Sequence, residues 1–243
     1  MTIELRHPRP GEERTLRELF TEAFGDEDFT ALFFAKGYSP SRCLGAFGGE
    51  LLAALHWFDC TLDGEKAAYI YGIAAFQTQQ GRGIGSELIR GALDKLQELG
   101  YRQILLVPAG ESLFGYYERF GFRAASTIRE VEIGAGEALP IRRLTVSEYA
   151  AARRELLPEN GLLQEGPCLE LLSGYAEFYA AGAALAAVTG DMVWELLGDE
   201  AAAPGLIAAL GLKKATVRMP GPGRPFAMAL GGEGECYLGL ALD

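Results

Sequence analysis

Apolar and polar positions along the first half of the chain switch between the periods of strands and of helices. Ile3 to Arg6 alternates as a short strand, and Pro8 to Gly11 breaks it. From Glu12 onward Leu16, Leu19, Phe20 and Ala23 recur at helical spacing and predict a first helix. Asp26 or Asp28 can cap a second helix that runs through Phe29, Leu32 and Phe33 and ends near Gly37. Arg42 to Phe47, Glu50 to Thr61 and Glu65 to Phe76 are separated by Gly48-Gly49 and Asp63-Gly64, so they predict three antiparallel strands joined by tight turns. A helix over 83–99 puts Ile84, Leu88, Ala92, Leu96 and Leu99 on one face, Gly100 closes it, and a strand follows at 102–107. Glu111 or Ser112 opens a short helix through Arg119, and Arg123 to Ile133 returns as a strand.

Gly134 to Pro140 is glycine-rich and unpatterned, which marks a boundary between residues 1–134 and residues 135–243. Beyond it the pattern predicts a strand near Ile141-Leu144, a helix from Ser147, a helix from Pro167 to Ala181, and strands at 183–189 and 192–197. A helix at 200–210 and strands near 213–219, 225–230 and 236–242 complete a rhythm close to that of the first half.

The segment between the third of the antiparallel strands and the helix at 83–99 carries the clearest chemistry: Gln80-Gly81-Arg82-Gly83-Ile84-Gly85. The first turn of a helix leaves backbone N–H groups without intrahelical partners and turns the positive end of the helix dipole outward. Glycines there let an anion approach the main chain closely, and Arg82 adds a side-chain charge. A nucleotide-binding Walker loop would close with Gly-Lys-Ser or Gly-Lys-Thr, whereas Gly85 is followed by Ser86-Glu87. A dinucleotide fingerprint needs a third glycine where Ser86 stands, and an acid ending the next strand where Pro108-Ala109 stands.

The remaining pattern, Gln/Arg-x-x-Gly-x-Gly, resembles the acyl-CoA pyrophosphate signature of the GCN5-related N-acetyltransferase (GNAT) family. The likeness continues through Tyr117-Glu118-Arg119-Phe120-Gly121-Phe122, which is similar to the family's Tyr-x-x-x-Gly-Phe ending, and it covers roughly the first half of the chain. It implies an α/β (α+β) chain with the acyl-CoA N-acyltransferase fold, a mixed central sheet flanked by helices, over residues 1–134. Residues 135–243 resemble a second, smaller and degenerate GNAT-like α+β unit. There Leu197-Gly198-Asp199-Glu200-Ala201 stands in place of the glycine loop, and two carboxylates at a helix start repel a pyrophosphate.

The resemblance also implies the chemistry. Acetyl-CoA is the expected cosubstrate, held by Gln80, Gly81, Arg82, Gly83, Ile84, Gly85 and Ser86, by the main chain of Ile73, Ala74 and Ala75 along the pantetheine arm, and by Ser112 and Leu113. Tyr117 maps onto the family's general acid, a phenol that is protonated at neutral pH and can hand its proton to a departing thiolate. Tyr116 is the neighbouring alternative. Some relatives place a glutamate base where this chain has Tyr69, so His56 is the expected base, with the carboxylate of Asp243 or solvent as alternatives. Phe29 to Phe34, with His56 and Phe58, are expected to wall the acceptor site. The expected reaction is acetyl transfer to a small-molecule amine by direct attack in a ternary complex; a non-catalytic acyl-CoA-binding sensor is the alternative. A homodimer is the assembly carried with this reading.

Composition and charge refine the picture. The formal charge of −11 argues against nucleic acid as a partner and is compatible with a cationic amine. Cys43, Cys60, Cys168 and Cys236 are scattered, and only His7 and His56 stand beside them, so no metal site and no disulfide framework is expected. No basic leader and no long apolar stretch is visible, which reads as a cytoplasmic protein without a membrane partner.

Overall fold

The computed structural model describes residues 2–232 and 234–242. The chain divides into two compact units, one formed by residues up to Arg123 with Ala229–Gly232, the other by Ala124–Met228 with the stretch after residue 232.

The first unit begins with strand β1 (Glu4–Arg6) and helix α1 (Glu13–Phe24), whose Leu16, Leu19 and Phe20 are buried as the spacing requires. Helix α2 (Glu27–Leu32) starts where Asp26 accepts the Phe29 N–H at 2.8 Å, and a π-helical turn, Phe33–Gly37, extends it. Strands β2 (Cys43–Phe47), β3 (Leu51–Leu62) and β4 (Glu65–Ala75) are antiparallel neighbours. Helix α3 (Ile84–Glu98) follows, burying Ile84, Leu88, Ile89, Ala92, Leu93 and Leu96, and strand β5 (Gln103–Leu106) then lies parallel to β4. A 3-10 turn, Glu111–Leu113, leads into the short helix α4 (Phe114–Glu118).

Strand β6 is continuous from Arg123 to Gly134, so the first compact unit ends at Arg123, eleven residues before the glycine-rich segment that the sequence marks as the boundary. Ala229–Gly232 return to the first unit, where Gly231 packs on the backbone of Arg102 and the Arg123 guanidinium donates to the Gly232 carbonyl.

The second unit repeats the element order of the first. Strand β7 (Ile141–Leu144) is followed by α5 (Val146–Leu156), whose start carries a full capping box: Thr145 Oγ1 accepts the Glu148 N–H and Glu148 accepts the Thr145 N–H. After the two-residue strand β8 (Leu163–Gln164) comes α6 (Pro167–Leu172). The helix expected to reach Ala181 stops here, because Phe178 and Tyr179 are taken by strand β9 (Glu177–Ala181). Strands β10 (Ala184–Thr189) and β11 (Met192–Gly198) continue the antiparallel series β7-β9-β10-β11. Helix α7 (Ala203–Ala209) then leads to β12 (Lys214–Leu230), which is parallel to β11 and also pairs with β6. The two strands expected at 213–219 and 225–230 are thus one. Gly223 allows this, since any Cβ there would fall 2.1 Å from the Ile128 carbonyl oxygen on β6. The strand expected at 236–242 is reduced to one bridge, Tyr237 to Gly161.

The second unit's core contains a buried ion pair. Glu195 on β11 accepts from Arg153 Nε at 2.7 Å and Nη2 at 3.0 Å, and from the hydroxyls of Tyr149 at 2.9 Å and Tyr237 at 3.2 Å. Arg153 also donates to the Leu162 carbonyl at 3.3 Å, and both charged side chains are essentially inaccessible. Removing one partner strands a charge in a dry core, which costs about 3–5 kcal/mol. Among the described residues no helix is long and apolar enough to cross a membrane. We expect Glu195→Leu alone to lower the denaturation midpoint sharply and Arg153→Met/Glu195→Leu to recover most of the loss; a double variant as weak as the single would contradict this account of the pair.

Candidate functional site

The geometry starts on β4. Its register with β5 runs from Ala67↔Gln103 to Tyr69↔Leu105, while pairing with β3 continues to Ala53↔Ala75. Between His56↔Tyr71 and Ala54↔Ala74 the register shifts, so Gly72 and Ile73 oppose Leu55 alone. This is a bulge, and Gly72 supplies its left-handed backbone at φ +64°. A Cβ at Gly72 would also meet the Phe20 ring at 2.5 Å. Beyond the bulge, half-buried Ile73, buried Ala74 and half-buried Ala75 form the last residues of β4.

From Ala75 the chain enters a 3-10 turn, Gln77–Gln79, whose first N–H is accepted by Glu22 on α1 at 2.6 Å. Gln80 returns its amide to the Ala75 carbonyl at 3.4 Å, and Arg82 donates to Gln79 Oε1 at 2.5 Å. Gly83 caps α3 in the left-handed region, at φ +81°, with open space where a Cβ would stand. The Glu87 N–H is the first to close on the helix, bonding the Gly83 carbonyl at 3.0 Å, which leaves the N–H groups of Ile84, Gly85 and Ser86 outside the helical ladder. Fifteen residues of aligned dipole end at that point.

The surrounding charges fit an anion. The chain has 33 Asp and Glu against 22 Lys and Arg, yet among the described residues of the first unit Arg82, Arg90, Arg102, Arg119 and Arg123 have no carboxylate partner: Arg82 reaches Gln79, Arg90 lies over Phe120, Arg119 over Tyr116 and Arg123 donates to Gly232. The equivalent point of the second unit differs. Asp199 there accepts the Ala201 N–H at 3.0 Å and Glu200 pairs with Arg129, so acidic side chains occupy that helix start.

Helix α4 brings the aromatic residues in. Tyr116 Oη lies 3.3 Å from Ser86 Oγ, joining α4 to the first turn of α3. Tyr117 is buried, edge-on to Tyr116 and Phe122, and its phenol is pushed up to about 12 by burial and then by Tyr116. Ser112 is exposed and Leu113 half-buried in the 3-10 turn before α4. Tyr116, the neighbouring alternative to Tyr117 in the sequence, meets the start of α3, and Gly72 was not singled out by the sequence. A glycine inside an otherwise apolar strand was the available signal for the bulge.

His56 on β3 pairs with Tyr71, next to the bulge at Gly72. It is 1 % exposed, enclosed by Phe33, Phe58 and Tyr38, and its Nε2 accepts the Ser39 N–H at 3.3 Å, while Nδ1 has no partner among the described residues. Burial, reinforced by the Arg42 charge, lowers its pKa to about 3. A group so hard to protonate is a poor base, so the geometry speaks against His56 in the role the sequence suggests. It does join the aromatic cluster expected from Phe29–Phe34 and Phe58, through Phe33. Asp243 lies outside the described residues. An open groove of about 800 Å³ runs along α1 beside Glu13, Glu18, Glu22 and Glu27, and none of the expected site residues lines it.

The acetyltransferase (GNAT) domain model matches residues 4–125. Among solved structures, a GCN5-related N-acetyltransferase from Kribbella flavida is 17% identical with a TM-score of 0.70, over 94% of this chain and 70% of that one. Another, from Anabaena variabilis, is 13% identical with a TM-score of 0.72, over 94% and 72%. A candidate acetyltransferase from Pyrococcus horikoshii is 18% identical with a TM-score of 0.68, over 98% and 92%. At such identities the likeness is one of fold, and it extends past the residues of the family model. No curated relative matches the sequence.

The buried His56 gives a pH test of this environment. Its folded pKa lies below the ordinary histidine value of about 6.5, so its contribution is intact above that pH and is lost as pH falls toward about 3. Stability should drop by on the order of 1.4 kcal/mol per pH unit across that window, and His56→Leu should flatten the slope. An unchanged slope in the variant, measured by urea denaturation, would place the acid sensitivity in other groups.

Proposed function

Because the chain belongs to the GNAT acetyltransferase family, we propose that it moves an acetyl group from acetyl-CoA to the amine of a small molecule by direct attack in a ternary complex. The observation that carries this reading is the start of α3: three backbone N–H groups outside the helical ladder, glycines that leave the approach open, and arginines without carboxylate partners. Such a place suits the pyrophosphate of CoA.

Acetyl-CoA, when bound, supplies the acyl carbon and a thiolate leaving group. Gln80 to Ser86 would hold its pyrophosphate, with Ser112 and Leu113 nearby. The main chain of Ile73, Ala74 and Ala75, which lies beyond the last pair with β5, would hold the pantetheine arm and offer an N–H to the developing oxyanion. Tyr117 would donate a proton to the departing sulfur, since its raised pKa keeps it protonated at any physiological pH. With His56 sealed in an aromatic cluster, the incoming amine loses its proton to water. An excess of acid over base in the chain remains compatible with a cationic acceptor.

We expect Tyr117→Phe to lower kcat by about 10²- to 10⁴-fold while leaving CoA binding intact. The rate should rise with pH as the amine deprotonates and show no descending limb up to about pH 10, because Tyr117 still holds its proton there. Thiol release with a panel of amines measures both. A Tyr117→Phe enzyme at full rate would remove Tyr117 from the mechanism, and CoA binding without turnover of any amine would favour an acyl-CoA sensor. Gly83→Glu places a carboxylate at the anion site and should abolish CoA binding in calorimetry; retained affinity would move the site away from α3.

A further inference from the structure

We propose that α1 positions the reacting end of β4, with Phe20 and Glu22 as positioning residues at the two ends of the stretch from Ile73 to Phe76. This rests on the acetyl-CoA reading above and deepens it, because that reading assigns the main chain of Ile73 to Ala75 to the thioester arm.

Glu22 is out of place by the rules of its own helix. It is an exposed acid in the last turn of α1, where the negative end of the helix dipole disfavours a carboxylate, and that turn holds no basic residue. The exposed acids Glu13 and Glu18 of the same helix pair with Arg17 and Arg14, one turn away. Glu22 instead crosses to the main chain, where its Oε1 accepts the Gln77 N–H at 2.6 Å. An acid kept against a local preference marks a residue whose gain lies outside its own element.

That bond acts as a cap supplied from a second helix. Gln77 opens the 3-10 turn after β4, and the turn's own cap residue, Phe76, makes no side-chain cap bond. A carboxylate on the first N–H of the turn is a charge-assisted acceptor, and it fixes where the chain leaves the sheet. Gln79, Gln80 and Arg82 bond within the segment: Gln79 to Phe76, Gln80 to Ala75 and Gln77, and Arg82 to Gln79. Glu22 ties that segment to α1, as the Leu52 carbonyl, accepting from Phe76, ties it to β3.

Phe20 holds the other end. Its buried ring lies 2.5 Å from where a Cβ at Gly72 would stand, and it stacks on Phe33 with centroids 4.7 Å apart. The ring is thus pressed between the bulge and the turn that follows α2. Beyond Tyr69 the paired register of β4 with β5 has ended, so the reacting stretch lacks a neighbour on that side. Acyl transfer needs an N–H aimed closely at the developing oxyanion, and α1 supplies the hold that β5 no longer gives.

Thiol release with the amine panel, calorimetry with CoA and thermal unfolding test this on the full chain. Glu22→Ala should lower kcat about tenfold while CoA affinity stays within about threefold of wild type, since the N–H groups at the start of α3 are untouched. Glu22→Gln keeps an acceptor oxygen without the charge and should recover most of the rate. Phe20→Leu leaves room beside Gly72 and should lower kcat in the same way. A Glu22→Ala enzyme at full rate, beside an active wild type, would overturn this inference alone. So would a Glu22→Gln enzyme as slow as Glu22→Ala, which would give the role to the charge and not to the bond. If Phe20→Leu melts early, the two Glu22 variants decide the question, because that side chain is exposed and its loss leaves the core intact. A wild-type chain that turns over no amine would overturn the acetyl-transfer reading and this inference together.

Discussion

The departure of β4 from β5 is the constraint on which the chemistry proposed for the first unit rests. A parallel pair that stayed in register to the ends of both strands would use up the N–H and C=O groups of Ile73 to Ala75. One residue too many on β4, made possible by the left-handed backbone of Gly72, turns the strand out of register with β3 just after Tyr69 has left its β5 partner. Phe20 fills the space that a side chain at 72 would have taken, so α1 is fitted to the bulge as closely as the strand itself. From Ala75 the chain passes through the 3-10 turn Gln77–Gln79 and the glycine turn to the start of α3. Under the proposed function, the main-chain groups that would hold a pantetheine and a pyrophosphate belong to one short stretch of chain, between the end of β4 and the first turn of α3.

The two units present one topology with two outcomes. Each has a first strand, two helices, three antiparallel strands, a helix and a strand parallel to the third. In the first, the connecting helix begins with a glycine in the left-handed region and unsatisfied N–H groups; in the second, Asp199 satisfies its own helix start and the helix that follows is only seven residues long. The second unit instead concentrates its polar chemistry inside, around Glu195 and Arg153. A buried, fully bonded ion pair contributes less to net stability than its contacts suggest, and here it joins Glu195 on β11 to Tyr149 and Arg153 on α5.

Much of this was legible in the residues. Periodicity locates α1, α3 and the antiparallel strands because each has one buried stripe or face, and the spacing of Gln80 to Gly85 resembles the signature of the family whose domain model the chain matches. What the sequence obscured has physical causes. Phe178 and Tyr179 carry strand preference inside a run whose alanines and leucines read as helix, and pairing with β10 decides the matter. Pro220 to Pro225 reads as a break, yet β6 holds the strand through it. His56 looks like a titratable group near neutrality, and only the packing of Phe33, Phe58 and Tyr38 reveals how far burial moves it. Tyr116 next to Tyr117 was indistinguishable as a packing ring until Ser86 was seen within reach of its hydroxyl.

The return of Ala229–Gly232 to the first unit bears on how the chain is made. At ribosomal speeds of roughly 5–20 residues per second, more than a hundred residues of the second unit are synthesised between Arg123 and Ala229, a delay of several seconds or longer. Until then the nascent first unit lacks the segment that packs on Arg102 and receives the Arg123 guanidinium. Its final closure therefore waits for the synthesis of the second unit, and a ribosome stalled within that unit would carry a first unit lacking the segment along Arg102 and Gln103.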